Sequence, residues 1–246
     1  MSETASETLR RRKAAAEVRA KKQSGPYSDR SFYGSLLPWE RMLLDQDGTF
    51  RQYRSGYSIT MENRLSSRVL ILLRGLAKGT AVTAEGEEVV LRIYGPGDIF
   101  GVEAVLASQP RSETVIALGG CAALAIPAPQ FTRLLDTPGI ARALSLAMLH
   151  RVQASDDQVK LRHATADARL AHVLLNLAAR GGTEARDGFT IPADLTQEDL
   201  ASLLGLSRST VARALHSLRR LEMIRTGYRN ITITDAAGLR RISQRP

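Results

Sequence analysis

Two arginines five positions apart, Arg208 and Arg213, flank Ser209 in the run Ser207-Arg208-Ser209-Thr210-Val211-Ala212-Arg213-Ala214-Leu215. If the run is helical, the two project about 140° apart, from one broad face. A guanidinium donates two parallel hydrogen bonds to guanine O6 and N7, worth ~1–3 kcal/mol of discrimination between bases. Ser209 suits several bases and specifies weakly. Thr196, Gln197, Ser207 and Thr210 stand near predicted helix starts, where hydroxyls and amides meet phosphate oxygens. These residue types at this spacing point to recognition of duplex DNA.

The elements that must hold them read clearly between Leu195 and Leu215. Thr196 is an N-cap and Asp199, three residues on, completes a capping-box variant. The first helix runs to Leu204. Gly205 tolerates the left-handed turn that two crossing helices need, and Ser207 caps the second helix. Ala201 is small where the helices cross, and Leu200, Leu204, Leu206, Val211 and Leu215 fill the wedge between them. The pattern predicts a helix-turn-helix whose second helix enters the major groove. Arg225-Thr226-Gly227-Tyr228-Arg229-Asn230 and Ile231-Thr232-Ile233 then predict a two-stranded wing, with Arg225, Tyr228 and Arg229 towards the DNA backbone.

Upstream, short strands are punctuated by glycine. Val69–Leu73 reads as a buried strand closed by Arg74-Gly75, Thr80–Thr83 leads through a turn at Glu85–Glu88, and Val89–Tyr94 returns. Gly95-Pro96-Gly97-Asp98 is a turn, and two more strands are expected at Glu113–Leu118 and Ala123–Ile126. This pattern predicts a small antiparallel barrel or roll. Thr137-Pro138 opens a long helix from Gly139 to about His163. Ala141, Leu144, Met148, Val152, Ser155 and Val159 recur along it at spacings of three and four, the stripe of a two-helix seam. Ala166–Arg180 predicts a further amphipathic helix ended by Gly181-Gly182.

Composition narrows the function classes. The net charge of +9 over 246 residues favours a polyanionic partner. Apolar runs are far shorter than the ~20 residues of a membrane span, and no signal-peptide core follows Met1, so a cytoplasmic protein without membrane insertion is expected. The first 26 residues read as a basic solvated arm, with an added nonspecific DNA contact or a membrane-surface contact as its other roles. The single cysteine, Cys121, lies in an apolar run and reads as a buried small hydrophobe. Paired carboxylates, nucleophile elbow, metal cluster and Walker loop are absent, which argues against an enzyme. His150, His163, His172 and His216 fall on predicted helices outside the roll, arguing against metal or haem sensing there.

In this order, roll, long helix and winged helix-turn-helix, the chain resembles the superfamily of the cyclic-AMP receptor protein and the fumarate–nitrate regulator (Crp/Fnr) over roughly Phe32 to Ile233, most strongly over Leu195 to Ile224. The resemblance implies an α+β fold with a cyclic-nucleotide-binding-like antiparallel β-roll (residues 27–137), a dimerisation helix (138–164) and a winged helix-turn-helix domain (165–246). It also implies a bacterial transcription regulator that pairs with itself, binds a palindromic operator in double-stranded DNA and engages RNA polymerase. In that family Arg208 and Arg213 read guanines, while the glutamate often found between them is Ser209 here.

The same resemblance matches Gly95-Pro96-Gly97-Asp98-Ile99-Phe100-Gly101 to the entry of a phosphate cassette, and Arg111-Ser112 to the pair that holds a cyclic phosphate. A guanidinium, a hydroxyl and amides at a helix start suit an anion. The implied ligand residues are Gly101, Val102, Glu103, Arg111, Ser112, Ser155 and Asp156, and the implied ligand is cyclic AMP or another cyclic nucleotide. The chain departs from the pattern at two points. Val102 stands where cyclic-AMP binders carry the ribose-holding glutamate, with Glu103 one later, and Glu113 follows Ser112 where a small residue is usual. Control by a small anionic ligand and a ligand-independent regulator with a degenerate sensor are therefore both open.

Overall fold

A computed structural model of the chain describes residues 27–181, 183–185, 188–192, 194–227 and 230–244. The N-terminal basic segment lies outside the described residues. A helix α1 (Pro38–Asp47) leads into β1 (Thr49–Tyr53), β2 (Ser58–Thr60), β3 (Arg68–Val82), β4 (Glu88–Tyr94) and β5 (Ile99–Phe100). Then come α2 (Val102–Leu106), β6 (Thr114–Pro127) and α3 (Ala128–Leu134). These strands form one antiparallel sheet of order β1-β6-β3-β4, with β2 on β6 and β5 on β3. It is an open roll, not a closed barrel.

Two expected breaks are kinks instead. Arg74-Gly75 does not close a strand: β3 runs on to Val82, with its register on β6 shifting between Leu72 and Leu76. The two strands expected at 113–118 and 123–126 are one strand, β6, bent at Gly119-Gly120. Gly75 and Gly119 have φ of 84° and 77°, and this conformation lets each strand bulge and resume its ladder. A Cβ at Gly75 would lie 2.9 Å from Cys121 Sγ. The turn at Glu85–Glu88 is as expected, with Gly86 at φ 84° and Thr83 N donating to Glu87 O.

The long helix α4 (Pro138–Leu161) carries Pro at its start and Thr137 before it. The expected seam divides in two. Ile140, Ala143 and Leu144 are buried and Met148 packs beside them, in a cluster with Phe32, Leu44, Val69, Ile71 and Phe131 of the roll. Ala141 is half-buried. Val152, Ser155 and Val159 are exposed, as is Leu149. The first half of α4 thus belongs to its own roll because its apolar side chains share that cluster. The buried carboxylate of Glu40 ties α1 to this junction: it accepts from Leu37 N at 2.8 Å and fills the space a side chain at Gly139 would take.

The C-terminal part consists of α5 (Ala166–Gly181), β7 (Thr183–Ala185), β8 (Gly188–Pro192), α6 (Gln197–Leu204), α7 (Arg208–Arg220), β9 (Ile224–Gly227), β10 (Asn230–Ile233) and α8 (Ala236–Ser243). The wing is larger than expected. β9 and β10 pair as read, but β8 and β7 extend them into a four-stranded sheet of order β7-β8-β10-β9. Leu170, Leu174 and Leu177 of α5, Leu200 and Leu204 of α6, and Val211, Leu215 and Leu218 of α7 share one core, and Leu76, Val90, Ile93 and Leu118 of the roll belong to that same core.

Polar contacts fix this junction between the roll and the C-terminal part. Lys78 Nζ on β3 lies 2.6 Å from Asp199 Oδ1 on α6, with both side chains largely buried. Val90 N on β4 donates to Ser202 Oγ at 2.7 Å. Arg180 on α5 donates to Ile93 O and to Asp98 Oδ2, each at 2.9 Å.

Two expectations follow. Lys78→Ala leaves the Asp199 carboxylate buried without its cation, a change that costs about 3 kcal/mol; urea denaturation should show it, and unchanged stability would refute the pair as a strut. Burial raises the Cys121 thiol to about 11 from its ordinary 9.0. The folded state disfavours the thiolate, so the Cys121 contribution is intact below pH 9 and lost as pH rises towards 11. Native protein at pH 8 should leave Cys121 unalkylated until denaturant is added, and rapid native labelling would contradict this.

Candidate DNA interface and sensor site

Helix α6 begins as the residues require. Thr196 Oγ1 accepts from Asp199 N at 3.0 Å and Asp199 Oδ2 accepts from Thr196 N at 2.9 Å, a reciprocal cap. Gly205 closes α6 at φ 58°, and Leu206 N returns to Ala201 O at 2.9 Å, the six-to-one bond of a Schellman turn. Ser207 Oγ then accepts from Thr210 N at 3.2 Å and starts α7. Arg169 of α5 braces the turn by donating to Leu204 O. Burial and the nearby Arg162 both lower the Arg169 pKa from its ordinary value.

Helix α7 sits in the core by Val211, Ala214, Leu215 and Leu218, spaced i, i+3, i+4 and i+7. That spacing leaves Arg208, Ser209 and Arg213 exposed together. Arg208 Nη1 pairs with Glu198 Oε1 at 3.0 Å, both side chains about two-thirds exposed, so exchanging this partner for DNA costs well under ~1 kcal/mol. Arg213 Nη2 donates to Thr210 Oγ1 at 3.2 Å, which aims the guanidinium along the helix. Ser209 Oγ bonds Ser207 Oγ at 3.0 Å. Gln197 and Thr196 are exposed at the start of α6. Seven of the eight sequence-derived DNA candidates thus lie at the start of α6 and along the first half of α7. Arg229, with Tyr228, lies outside the described residues.

In the roll, the structure brings five of the seven ligand candidates together. Gly101 takes a left-handed conformation (φ 76°) at the start of α2, and a side chain there would collide with the Arg111 guanidinium. Val102 is buried, and Ser112 Oγ lies 3.2 Å from Glu103 Oε1. Arg111 is buried and already engaged: its Nη2 donates to Ser66 Oγ and, at 2.8 Å, to Arg68 O. Burial lowers its pKa, opposed by the nearby Glu103 and Glu113 carboxylates. Ser155 and Asp156 stand apart, exposed on α4, with Ser155 Oγ turned back to Arg151 O at 3.1 Å.

Glu113, Tyr94 and Arg151, none of them assigned to the site by the sequence reading, dominate the interior. Glu113 is buried and turns inward, accepting from the Tyr94 hydroxyl, with Arg92 Nε 3.6 Å from its other oxygen. It occupies the space left by the absent side chain of Gly79. Arg151 of α4 lies 5.7 Å over the Tyr94 ring and donates to Ile99 O at 2.9 Å. Burial raises the Tyr94 phenol well above its ordinary value, so it stays a hydrogen-bond donor. One signal was available: Arg151 is four residues before Ser155, on the same face of a helix expected to touch ligand.

Comparison with known proteins agrees with this architecture. Residues 50–137 match the cyclic nucleotide-binding domain family and residues 168–242 match the Crp-like helix-turn-helix domain family. The chain is similar to the CRP-like cAMP-activated global transcriptional regulator of Mycobacterium tuberculosis, 28% identical over 76% of this chain and 84% of that protein. It is 30% identical to the HTH-type transcriptional regulator Cmr of the same species, over 79% of this chain and 76% of the relative. A Crp-family transcriptional regulator of Thermus thermophilus superposes with a TM-score of 0.67 at 26% identity, covering 78% of this chain and 96% of the other. These relatives are transcription regulators, not enzymes. With its roll, its helix-turn-helix and these matches, the chain belongs to the Crp/Fnr superfamily of DNA-binding transcription regulators.

Proposed function

We propose that the protein is a homodimer that reads a palindromic operator through α7, with Arg208 and Arg213 on guanines and Ser209, Thr196, Gln197, Ser207, Thr210 and Arg229 on neighbouring bases and phosphates. The observation that carries this reading is the division of α7 into a buried stripe and an exposed face carrying Arg208, Ser209 and Arg213. The dimer is supported by the second half of α4, where Leu149, Val152 and Val159 are each more than half exposed. A second copy of the same helix covers such a stripe and sets two reading helices one DNA turn, ~34 Å, apart. Relatives are named global transcriptional regulators, so RNA polymerase is the proposed protein partner and the cytoplasm the proposed place of work. Among the described residues no helix is long and apolar enough to cross a membrane.

For the effector, the names of cAMP-activated relatives make a cyclic nucleotide the first candidate, held by Arg111, Ser112 and the Gly101–Glu103 turn. A second reading, a regulator that works without an effector, is favoured by a specific observation. Arg111 is already satisfied by Ser66 and Arg68, while Tyr94 and Glu113 fill the interior between Arg111 and α4. An incoming phosphate would have to displace those partners and tolerate a carboxylate two residues away.

Arg208→Ala and Arg213→Ala should each cost ~1–3 kcal/mol in operator affinity and leave salt-sensitive binding to random DNA in place; an unchanged ratio of operator to random affinity sinks the assignment. Titration calorimetry with cyclic AMP and cyclic GMP separates the effector readings. Heat together with tighter operator binding supports the first, and neither heat nor a change in affinity supports the second.

A further inference from the structure

The exposed face of α7 extends beyond the residues that start it. At ~100° per residue, Ser209, Arg213, His216 and Arg220 fall within about 60° of one another, and all four are exposed. A groove of about 630 Å³ runs along this half of the helix, lined by Ala212, Arg213, His216, Arg219, Arg220 and Leu221 among others. It holds three guanidinium groups, one imidazole and no carboxylate from α7, which has none in its sequence. Base edges are met by the first turns of a reading helix. Its later turns run out over the groove's edge, where phosphate oxygens lie, and a chain of arginines ending in His216 and Arg220 suits that backbone.

His216 is the member of this stripe whose side-chain type changes charge near neutral pH, because a free imidazole titrates at about 6.5. Among the described residues, the carboxylates on the elements packed against α7 have other partners. On α5, Asp167 accepts from Ser217 Oγ at 2.7 Å. On α6, Glu198 pairs with Arg208 and Asp199 with Lys78. Arg225 on β9 and Arg169 on α5 are cations. Burial pushes His172, also on α5, below its ordinary value, so it is neutral near pH 7. Glu222 follows the helix on the exposed side. Beside a phosphate an imidazolium gains a charge-assisted partner, and its proton is held more tightly than in the free chain.

We infer that His216 makes a proton-linked contact to the DNA phosphate backbone, so that each protomer takes up a proton on binding its operator and affinity rises as pH falls. This rests on the DNA-reading assignment of α7. A phosphate contact about ten times stronger to the imidazolium than to the imidazole tightens binding ~6-fold per protomer and ~40-fold for a dimer between about pH 8 and pH 6. The added cation also steepens the salt dependence by ~0.9 per protomer at the acid end.

The test uses the full chain and an operator selected from random-sequence duplexes, with affinity measured by fluorescence anisotropy at several salt concentrations at both pH values. Wild type should tighten and its salt slope steepen on acidification. His216→Gln should be weak with much of that dependence gone, and His216→Lys tight at both pH values. Calorimetry in buffers of different ionisation enthalpy should show proton uptake for wild type that His216→Gln lacks. A wild type whose affinity and salt slope are flat with pH, or a His216→Gln variant that keeps the full dependence, overturns the inference while leaving the reading helix intact. Failure of wild type to select any operator, or Arg213→Ala binding it as well as wild type, refutes the DNA assignment itself.

Discussion

The arrangement of helix-turn-helix on roll depends on one carboxylate. Asp199 is buried, and both its oxygens are used: one closes the reciprocal cap at the start of α6, the other meets Lys78 of the roll. A buried carboxylate is tolerated only when paired and hydrogen-bonded, and here the two conditions are met by different parts of the molecule. The first helix of the helix-turn-helix is therefore ordered locally by Thr196 and globally by a strand 121 residues earlier in the chain. Ser202, one turn on, adds a bond to the backbone of Val90. Because α6 holds α7 through the shared apolar wedge, the position of the reading helix relative to the roll follows from these contacts.

The reader was legible in the sequence because its determinants are local. Thr196, Asp199, Gly205 and Ser207 shape the chain within five residues of themselves, through capping and a left-handed turn, and in this each does what its type implies. The roll was legible in outline only. Gly75 and Gly119 look like strand ends, yet each serves as a bulge, because a partner strand far away in sequence continues the ladder past the kink. The strands β7 and β8 escaped notice for the same reason: they are stabilised by pairing with β10 and carry no strong pattern of their own.

The seam on α4 shows what periodicity alone leaves undivided. Leu144 and Val152 lie on one stripe, yet the first is buried against its own roll and the second is exposed. The stripe's spacing is the same for an intramolecular and an intermolecular partner, and the division comes from where the helix leaves the sheet. The roll's interior was similarly hidden. Glu113 was noticed as a carboxylate beside an expected anion site, but its inward turn depends on Gly79, Arg92 and Tyr94 from two other strands.

Lys78 and Gly79 are sequence neighbours on β3, paired with Ile93 and Arg92 of β4. Side chains alternate across a strand, so Lys78 reaches outward to Asp199 while the missing side chain of Gly79 makes room inside for Glu113. The roll's interior and the DNA reader are thus separated by the thickness of a single peptide unit. Whatever occupies the space beside Gly79, whether the chain's own Glu113 or something that displaces it, presses on the same stretch of backbone from which Lys78 anchors the reader.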